Sequence, residues 1–287
     1  MSRPGSLRAL LGEHGLGADK ALGQHFLADP GILERIAAAA GAGPGDTVLE
    51  IGPGPGTLTA ALLRRGARVV AIERDRRFEE VLAVTCLGLG ELEVIWGDAL
   101  EVDWPVPGGA RFASNLPYNV GTALLLRALE EKRFARVVAL LQREVVDRAL
   151  AAPGTPAYGL LSVLVAAHAT GRRVLEVGAG AFSPPPRVRS AVIALDPRPA
   201  PVVAAGVLEL ARIGFRERRK TLLNNLRRAG VPAEHARGAL REAGLDERVR
   251  MESLGLTELE RLGQALGPLA PGAGREPWGP GPDRAER

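Results

Sequence analysis

Short apolar runs alternate with helical segments through the first half of the chain, and this alternation predicts an α/β fold. The run at 48–51 ends in the sequence GPGPG at 52–56, after which a helical pattern covers 57–65. Strands that alternate with helices in this way form a parallel sheet with helices on both faces. The alternation continues with predicted strands at 68–72, 93–96, 111–114 and 136–141, predicted helices at 78–84 and 122–130, and two closing strands at 174–177 and 188–195.

The pattern changes after the proline-rich segment at 196–201. Apolar positions downstream have helical spacing, Pro232 can start one helix, and Thr257 with Glu260 forms a candidate capping box for the last helix. Eight of the 13 residues at 271–283 are glycine or proline, a composition typical of disordered segments. We therefore expect an α/β domain at 1–196, a small helical domain at 197–268 and a disordered tail at 269–287.

The composition excludes several classes of protein. Apolar residues make up 46% of the 287 and charged residues 24%, which allows a folded core and argues against a disordered chain. No segment approaches the roughly 20 consecutive apolar residues of a membrane span. Cys86 is the single cysteine, so no internal disulfide or cysteine-based zinc site can form, and His14, His168 and His235 show no metal-ligand spacing. We expect a cytoplasmic protein without a metal ion.

Positive charge is concentrated in the last third of the chain. The protein has 34 arginines and 3 lysines; residues 1–196 carry 21 basic and 21 acidic side chains, whereas residues 197–287 carry 16 and 12. An arginine excess is also typical of a GC-rich genome, and clustered cations can simply form a solvated helix face. A dense basic cluster nevertheless favours a polyanion such as nucleic acid. The candidate contacts are Arg216, Arg218, Arg219, Lys220, Arg227 and Arg228.

The glycine-rich turn lies where an open α/β sheet binds its ligands, between the end of the first predicted strand and the following helix. Gly52, Gly54 and Gly56 allow a ligand to approach the backbone closely. Their spacing differs from the G-x-G-x-x-G of dinucleotide-binding folds, and the sequence of a P-loop is absent. The turn therefore favours a nucleotide-like ligand of another class.

Acidic residues occur at the ends of three successive predicted strands. Glu50, beside the glycine-rich turn, would repel a pyrophosphate but suits a ligand that carries a sulfonium and an amino group. Glu73 is placed to bind both ribose hydroxyls, and Asp98 is placed to accept a hydrogen bond from an adenine amino group. Together with the turn, these acids predict S-adenosylmethionine as the cofactor, and the neighbouring Arg74 and Ala99 are included in the candidate site.

The sequence Asn115-Leu116-Pro117-Tyr118 follows the fourth predicted strand, whose end faces the same cleft. Asn and Pro are turn-forming residues, but the four residues also offer the chemistry that an adenine N6 substrate needs. The lone pair of that nitrogen is delocalised into the ring, so an enzyme must accept its N–H bonds to make it nucleophilic. The Asn115 side chain and the Leu116 carbonyl can do so, Pro117 stiffens the turn, and Tyr118 can stack on the base.

A second aromatic residue, Phe182, lies on the proline-rich stretch at 182–190 and is a candidate for stacking on the other face of an extruded base. The preceding segment at 174–180 repeats the pattern of 48–54. Proline-rich sequence follows this repeat and cannot open a helix, so we interpret it as a strand and a turn without a cofactor.

These motifs together resemble the family of small-subunit ribosomal RNA adenine dimethyltransferases, over residues 18–265. In that family, the segment containing Gln24, His25, Phe26 and Leu27 lies over the methionine end of the cofactor. Five motifs match in order: 20–27, the cofactor turn at 50–59, the turn at 115–118, the stretch 182–190 and the basic helix at 215–226.

The resemblance implies a Rossmann-like class I S-adenosylmethionine methyltransferase domain followed by a small all-helical domain that contacts RNA. It implies transfer of two methyl groups to N6 of each of two adjacent adenosines near the 3′ end of small-subunit rRNA, coupled to small-subunit assembly. Three alternatives stay open at this point. They are a resistance methyltransferase for large-subunit rRNA, a DNA adenine methyltransferase, and an assembly factor whose enzymatic activity is secondary or lost.

Overall fold

The computed structural model of the protein describes residues 7–17 and 25–269. The predicted cofactor residue Gln24 and the tail from residue 270 onward lie outside these ranges. The chain divides into two compact units. Unit 1 contains the chain up to Val146 together with Gly171–Pro197, and unit 2 contains Asp147–Thr170 together with the chain from Arg198 onward.

Nine strands are found in the described ranges, and seven of them form the main sheet. The strands are β1 (Phe26–Leu27), β2 (Thr47–Ile51), β3 (Arg68–Glu73), β4 (Leu92–Trp96), β5 (Ala110–Asn115), β6 (Phe134–Gln142), β7 (Ala169–Val177), β8 (Phe182–Ser183) and β9 (Ser190–Pro197).

The main sheet has the strand order β4-β3-β2-β5-β6-β9-β7. Strands β2 to β6 pair in parallel, and β9 runs antiparallel to β6. Neighbouring residues in the central strands, such as Val69 and Val70, are both fully buried although their side chains point to opposite faces. The sheet is therefore covered on both faces, and the Rossmann-like α/β architecture predicted from the sequence is confirmed.

The helices of unit 1 begin and end at signals that the sequence contains. Asp29 Oδ1 accepts a hydrogen bond from Ile32 N, and Gly41 ends the same helix in the left-handed region at φ 68°. These helices are α1 (Leu7–Glu13), α2 (Pro30–Ala40), α3 (Thr57–Arg64), α4 (Glu79–Cys86), α5 (Gly121–Glu130) and α6 (Arg143–Ala149), which crosses into unit 2.

Unit 2 is helical, and it includes a segment that we expect from the sequence to belong to the α/β domain. Residues 147–170 are part of unit 2, so the expected continuous domain at 1–196 is corrected. The reason is apolar packing, because Val163 and Ala167 share a buried cluster with Val207 and Leu210. The helices of this unit are α7 (Leu160–His168), α8 (Ala205–Phe215), α9 (Leu222–Arg228), α10 (Ala233–Glu242) and α11 (Leu256–Leu266).

Two helix boundaries in unit 2 differ from their predictions. The last helix begins at Leu256, and the side chain of Glu258 accepts a hydrogen bond from Gly255 N at 3.1 Å, so the predicted capping box at Thr257 and Glu260 is wrong. The basic segment at 216–220 forms a turn between α8 and α9, not part of a helix. No described helix has the length and apolar character required to cross a membrane.

Candidate active site

A cavity opens at the carboxyl ends of the central strands of unit 1. Its wall includes most of the predicted site residues, from the amino-terminal segment, the glycine-rich turn, the strand ends and the turn after β5. The predicted residues that line it are His25, Phe26, Gly52, Gly54, Glu73, Arg74, Asp98, Ala99, Asn115, Leu116, Pro117 and Tyr118.

The glycine-rich turn depends on backbone freedom and on close packing. Gly52, Gly54 and Gly56 all have positive φ, at 68°, 53° and 82°. A Cβ atom at Gly54 would lie 3.1 Å from Phe26 Cε1, and one at Gly56 would lie 2.7 Å from Leu82 Cδ1. Gly56 does not line the cavity, so its role is to let the turn pack against α4.

Glu73 joins the glycine-rich turn to the end of β3. Its Oε2 accepts a hydrogen bond from Gly54 N at 2.9 Å, and its Oε1 accepts one from Asp75 N at 2.8 Å. Burial raises the pKa of Glu73, and hydrogen bonds from backbone amides oppose that rise. Each carboxylate oxygen has a second lone pair, so the fixed group can still accept hydrogen bonds from a diol.

Asp98 lines the cavity after β4, where it is paired with Arg74. Arg74 Nη1 is 3.2 Å from Asp98 Oδ2, and Asp98 Oδ1 accepts a hydrogen bond from Leu100 N at 2.9 Å. The Asp98 side chain remains 28% exposed. Its predicted position at the cavity is therefore reproduced, and its carboxylate is held by both the loop backbone and Arg74.

Glu50 does not line the cavity, and its predicted direct contact with a cationic ligand is corrected. The side chain is 2% exposed and lies beside Thr59 of α3 and Cys86 of α4. Burial raises its pKa to about 8, although the Thr59 hydroxyl lowers it in part. The carboxyl is therefore mostly neutral at pH 7 and lies beneath the turn instead of facing its ligand side.

The amino-terminal segment at 25–27 crosses the cavity edge and is held by three elements. Strand β1 pairs with β8, Thr57 Oγ1 donates to the carbonyl of Leu27 at 2.8 Å, and the ring of Phe26 packs edge-on against Phe78 at 5.3 Å. His25 and Phe26 line the cavity, whereas Leu27 is buried beneath it. The segment thus forms part of the cavity wall.

Asn115, at the end of β5, is oriented by the same segment. Its Nδ2 donates a hydrogen bond to the backbone carbonyl of His25 at 2.9 Å. A carbonyl oxygen only accepts, so the atom facing it must be the amide nitrogen. Neither Asn115 Oδ1 nor the Leu116 carbonyl receives a hydrogen bond from the described part of the chain, which leaves two acceptors at the cavity.

Tyr118 is fixed at its hydroxyl and along its ring. The hydroxyl shares a 2.5 Å hydrogen bond with Ser190 Oγ, and the ring lies 5.5 Å from the ring of His25. Burial raises the pKa of the Tyr118 phenol. The side chain is therefore a neutral aromatic surface, and its tilt is set by Ser190, which lies 72 positions later in the chain.

Phe182 is not a stacking surface of this cavity, which corrects its predicted role. Its side chain is 5% exposed and belongs to the apolar core with Leu27, Val177 and Val192. The pairing of β8 with β1 directs it inward. The segment before it ends in a 3-10 turn at Ala179–Ala181 with no α-helix, consistent with the absence of a second cofactor loop there.

Sequence reasoning missed several wall residues. Asn119, Val120 and Leu124 line the cavity beyond the predicted turn, and Ile72 and Gly97 line it at the strand ends. The spacing of Val120 and Leu124 at i and i+4 indicates one face of a helix start, which is a usable signal. Within the described ranges, no three His, Cys, Asp or Glu side chains are grouped to hold a metal ion.

The predicted basic cluster lies in unit 2 and contains two kinds of side chain. Arg218 Nη2 donates to the carbonyls of Pro156 and Tyr158 at 3.1 and 2.9 Å, and Arg228 is paired with Glu217. These two residues have structural partners. The exposed cations without an ion pair among the described residues are Arg216, Arg219, Lys220 and Arg227.

Comparisons with known proteins agree on one class. Residues 16–262 match the family model described as ribosomal RNA adenine dimethylase. A protein of Deinococcus radiodurans named ribosomal RNA small subunit methyltransferase A is 44% identical over 270 residues, covering 92% of this chain and 91% of that protein.

Two solved structures show the same fold over most of the chain. A dimethyladenosine transferase from Plasmodium falciparum has a TM-score of 0.74 at 29% identity, covering 83% of this chain and 96% of that one. The 23S rRNA methyltransferase ErmE has a TM-score of 0.65 at 27% identity, covering 84% of this chain and 99% of that one.

Proposed function

The chain belongs to the ribosomal RNA adenine dimethylase family and is an S-adenosylmethionine-dependent rRNA adenine methyltransferase, and we propose that it places two methyl groups on N6 of each of two adjacent adenosines near the 3′ end of small-subunit rRNA. The observation that carries this proposal is the orientation of Asn115. Its Nδ2 is occupied by the His25 carbonyl, so its Oδ1 is directed to accept from an amino group in the cavity.

The polar groups that line the cavity fit the hydrogen-bond donors of the cofactor. The turn at Gly52 and Gly54 leaves the backbone open to a ligand, Glu73 offers a fixed carboxylate for the ribose hydroxyls, and Asp98 offers one for the adenine amino group. When bound, S-adenosylmethionine supplies an activated methyl group on a sulfonium. We assign the wall formed by His25 and Phe26 to the methionine end of the cofactor.

The residues after β5 activate the acceptor nitrogen. An exocyclic amine conjugated with its ring is a weak nucleophile, and acceptors at both N–H bonds favour the tetrahedral form whose lone pair can attack. Asn115 Oδ1 and the Leu116 carbonyl are the two acceptors, and they lie in a partly desolvated site where such hydrogen bonds are strong. Both oxygens stabilise the positive charge that develops on the nitrogen as it gains the methyl group, and the nitrogen then releases one proton to water.

Tyr118 positions the base. A base must leave its stack to reach the cavity, and stacking on an aromatic ring compensates for part of that loss, by about 1–3 kcal/mol per base. The ring of Tyr118 is preorganised by Ser190 and His25. The base is therefore held at one face by Tyr118, and this chain uses no equivalent surface from Phe182.

Small-subunit rRNA is the substrate that the similarities favour. The relative from Deinococcus radiodurans, at 44% identity, carries a small-subunit name, whereas ErmE, with a 23S rRNA name, is 27% identical. We further propose that the exposed cations of unit 2, led by Arg219 and Arg227, dock the small subunit or its precursor in the cytoplasm during assembly. Their lack of partners among the described residues supports this role.

Replacement of Asn115 tests the proposed chemistry. Asn115→Ala should abolish methyl transfer to undermethylated small subunits and leave S-adenosylmethionine binding, measured by calorimetry, within a few-fold of the wild type. Hydrolysis of the wild-type product should yield N6,N6-dimethyladenosine. Retained turnover in the variant would refute the role of Asn115.

A further inference from the structure

The segment 184–190, which we name the arginine loop, is attached at both ends to residues of the cavity wall. At one end, the Pro184 carbonyl accepts a 3.0 Å hydrogen bond from His25 Nδ1. At the other end, Ser190 Oγ is bonded to the Tyr118 hydroxyl at 2.5 Å. The loop therefore passes directly beside the position assigned to the target base.

The backbone of the arginine loop is held in place. The Arg189 carbonyl accepts a hydrogen bond from Arg143 N at 2.9 Å, and Pro186 is buried between exposed neighbours. Three successive prolines at 184–186 restrict the backbone further. A rigid loop loses little conformational entropy when a ligand binds its side chains.

The arginine loop presents two cations and one apolar side chain to the surface of unit 1. Arg187 and Arg189 are exposed, and neither has an ion pair among the described residues, whereas other arginines of this unit, such as Arg68 and Arg111, are paired with carboxylates. Val188 between them is 45% exposed, one of few large apolar side chains at the surface.

Glu176, on the strand β7 that lies beside β9, is already engaged by other arginines. Glu176 lies 3.6 Å from Arg143 and 2.8 Å from Arg173, so it is shared by two other guanidinium groups. Residues 171–190 contain four arginines and one acid. The loop thus carries two positive charges without counter-charges, on a fixed backbone, at the mouth of a base-binding cavity.

We propose that Arg187 and Arg189 bind the phosphates that flank the target adenosine and that Val188 contacts the ribose between them. This inference rests on the proposed function, and it adds a phosphate-binding site in unit 1 to the basic cluster of unit 2. Extrusion of a base exposes the two adjoining phosphates, and the guanidinium fork binds phosphate oxygens in pairs. An acidic protein surface would match the charge but has no reason to lie beside Tyr118.

The double variant Arg187→Gln/Arg189→Gln tests the site. A matched control, Arg35→Gln/Arg64→Gln, removes the same charge from two exposed arginines of α2 and α3 that have no ion pair among the described residues. For wild type and both variants, we would measure Kd for undermethylated small subunits over a salt series, methylation kinetics and S-adenosylmethionine affinity.

The loop variant should bind subunits about tenfold more weakly at moderate salt, and the slope of log Kd against log salt should fall by about 1–2 because two phosphate contacts are lost. Cofactor affinity should be unchanged, which reports an intact unit 1. Arg187→Lys/Arg189→Lys should restore most of the salt dependence. Loop and control variants that are indistinguishable in Kd would overturn the inference.

The binding readout separates this inference from the proposed function. A wild type that binds subunits with a loop-dependent salt slope, yet yields no dimethyladenosine, would refute the proposed function and keep the phosphate site. If the wild type methylates normally and the loop variant has the same Kd for small subunits as the control variant, the phosphate site alone would be refuted.

Discussion

The side-chain nitrogen of Asn115 donates a 2.9 Å hydrogen bond to the backbone carbonyl of His25, 90 positions earlier in the chain. This contact joins the turn that we propose to activate the substrate amine to the segment that we assign to the methionine end of the cofactor. It leaves the amide oxygen of Asn115 as the atom that can accept a hydrogen bond in the cavity. It also explains why an asparagine serves better here than an aspartate, since a carboxylate has no hydrogen to donate.

The Asn115→Asp substitution separates the two functions of this amide. The carboxylate keeps an acceptor for the substrate but opposes the His25 carbonyl, so we expect turnover to be lost and S-adenosylmethionine affinity to fall about tenfold, in line with two facing acceptors in a partly buried site. Protonation restores a donor, so the loss of affinity should diminish as the pH is lowered. Calorimetry over a pH series measures this. An affinity equal to that of Asn115→Ala at every pH would contradict it.

The bond between Tyr118 and Ser190 should act through the substrate and not through the cofactor. Tyr118→Phe and Ser190→Ala each remove one hydroxyl of the same hydrogen bond, and each should raise KM for the small subunit several-fold. The double variant should be no worse than the more impaired single variant, because the two residues act as one unit. Strictly additive effects on KM, or a change in cofactor affinity, would show that Ser190 has another role.

The buried Glu50 should make stability depend on pH. Its pKa is raised from 4.5 to about 8 by burial, so the folded state holds a proton that the unfolded state releases. The favourable contribution of protonated Glu50 to the free energy of unfolding is fully present below about pH 4.5 and is lost as the pH rises through about 8. Glu50→Gln carries no titrating group, so its stability relative to wild type should rise over this interval.

Urea unfolding at several pH values measures this dependence. Glu101→Gln is the control, since Glu101 is exposed and has no ion pair in the described ranges. The wild type and this control should lose stability in parallel between pH 5 and about 8, the range over which Glu50 is protonated in the folded state and ionised in the unfolded state. A constant difference between wild type and Glu50→Gln would show that the carboxyl does not titrate in the fold.

Two adjacent arginines of unit 2 should behave differently when reversed in charge. Arg219→Glu removes an exposed cation, so small-subunit binding should weaken and its salt dependence should become shallower, with unchanged stability. Arg218→Glu removes a guanidinium that donates to the carbonyls of Pro156 and Tyr158. It should therefore lower the free energy of unfolding, measured with urea, by roughly 1–3 kcal/mol. Equal effects of both on stability would contradict this division.

Much of unit 1 is predictable from sequence because its signals are local. Alternating strands and helices, the glycines at 52, 54 and 56, and the helix caps at Asp29 and Gly41 all act within a few residues of their positions. The positions of Glu73, Asp98 and Asn115 follow from the rule that parallel strands end at one edge of the sheet.

The errors arise where a distant contact decides the outcome. Phe182 turns into the core because β8 pairs with β1, and Glu50 points toward α3 and α4 instead of the ligand. Residues 147–170 join unit 2 because α7 buries its apolar side chains against α8. The bond between Tyr118 and Ser190 spans 72 positions, and no local pattern encodes it.

The most direct test of the account identifies the modified nucleoside and the subunit that carries it. The purified protein, with labelled S-adenosylmethionine, would be offered undermethylated small subunits and, separately, undermethylated large subunits, and the RNA would be digested. We expect label in N6,N6-dimethyladenosine from small subunits alone, at two adjacent positions near the 3′ end. Label from large subunits, or in another nucleoside, would contradict the central claim.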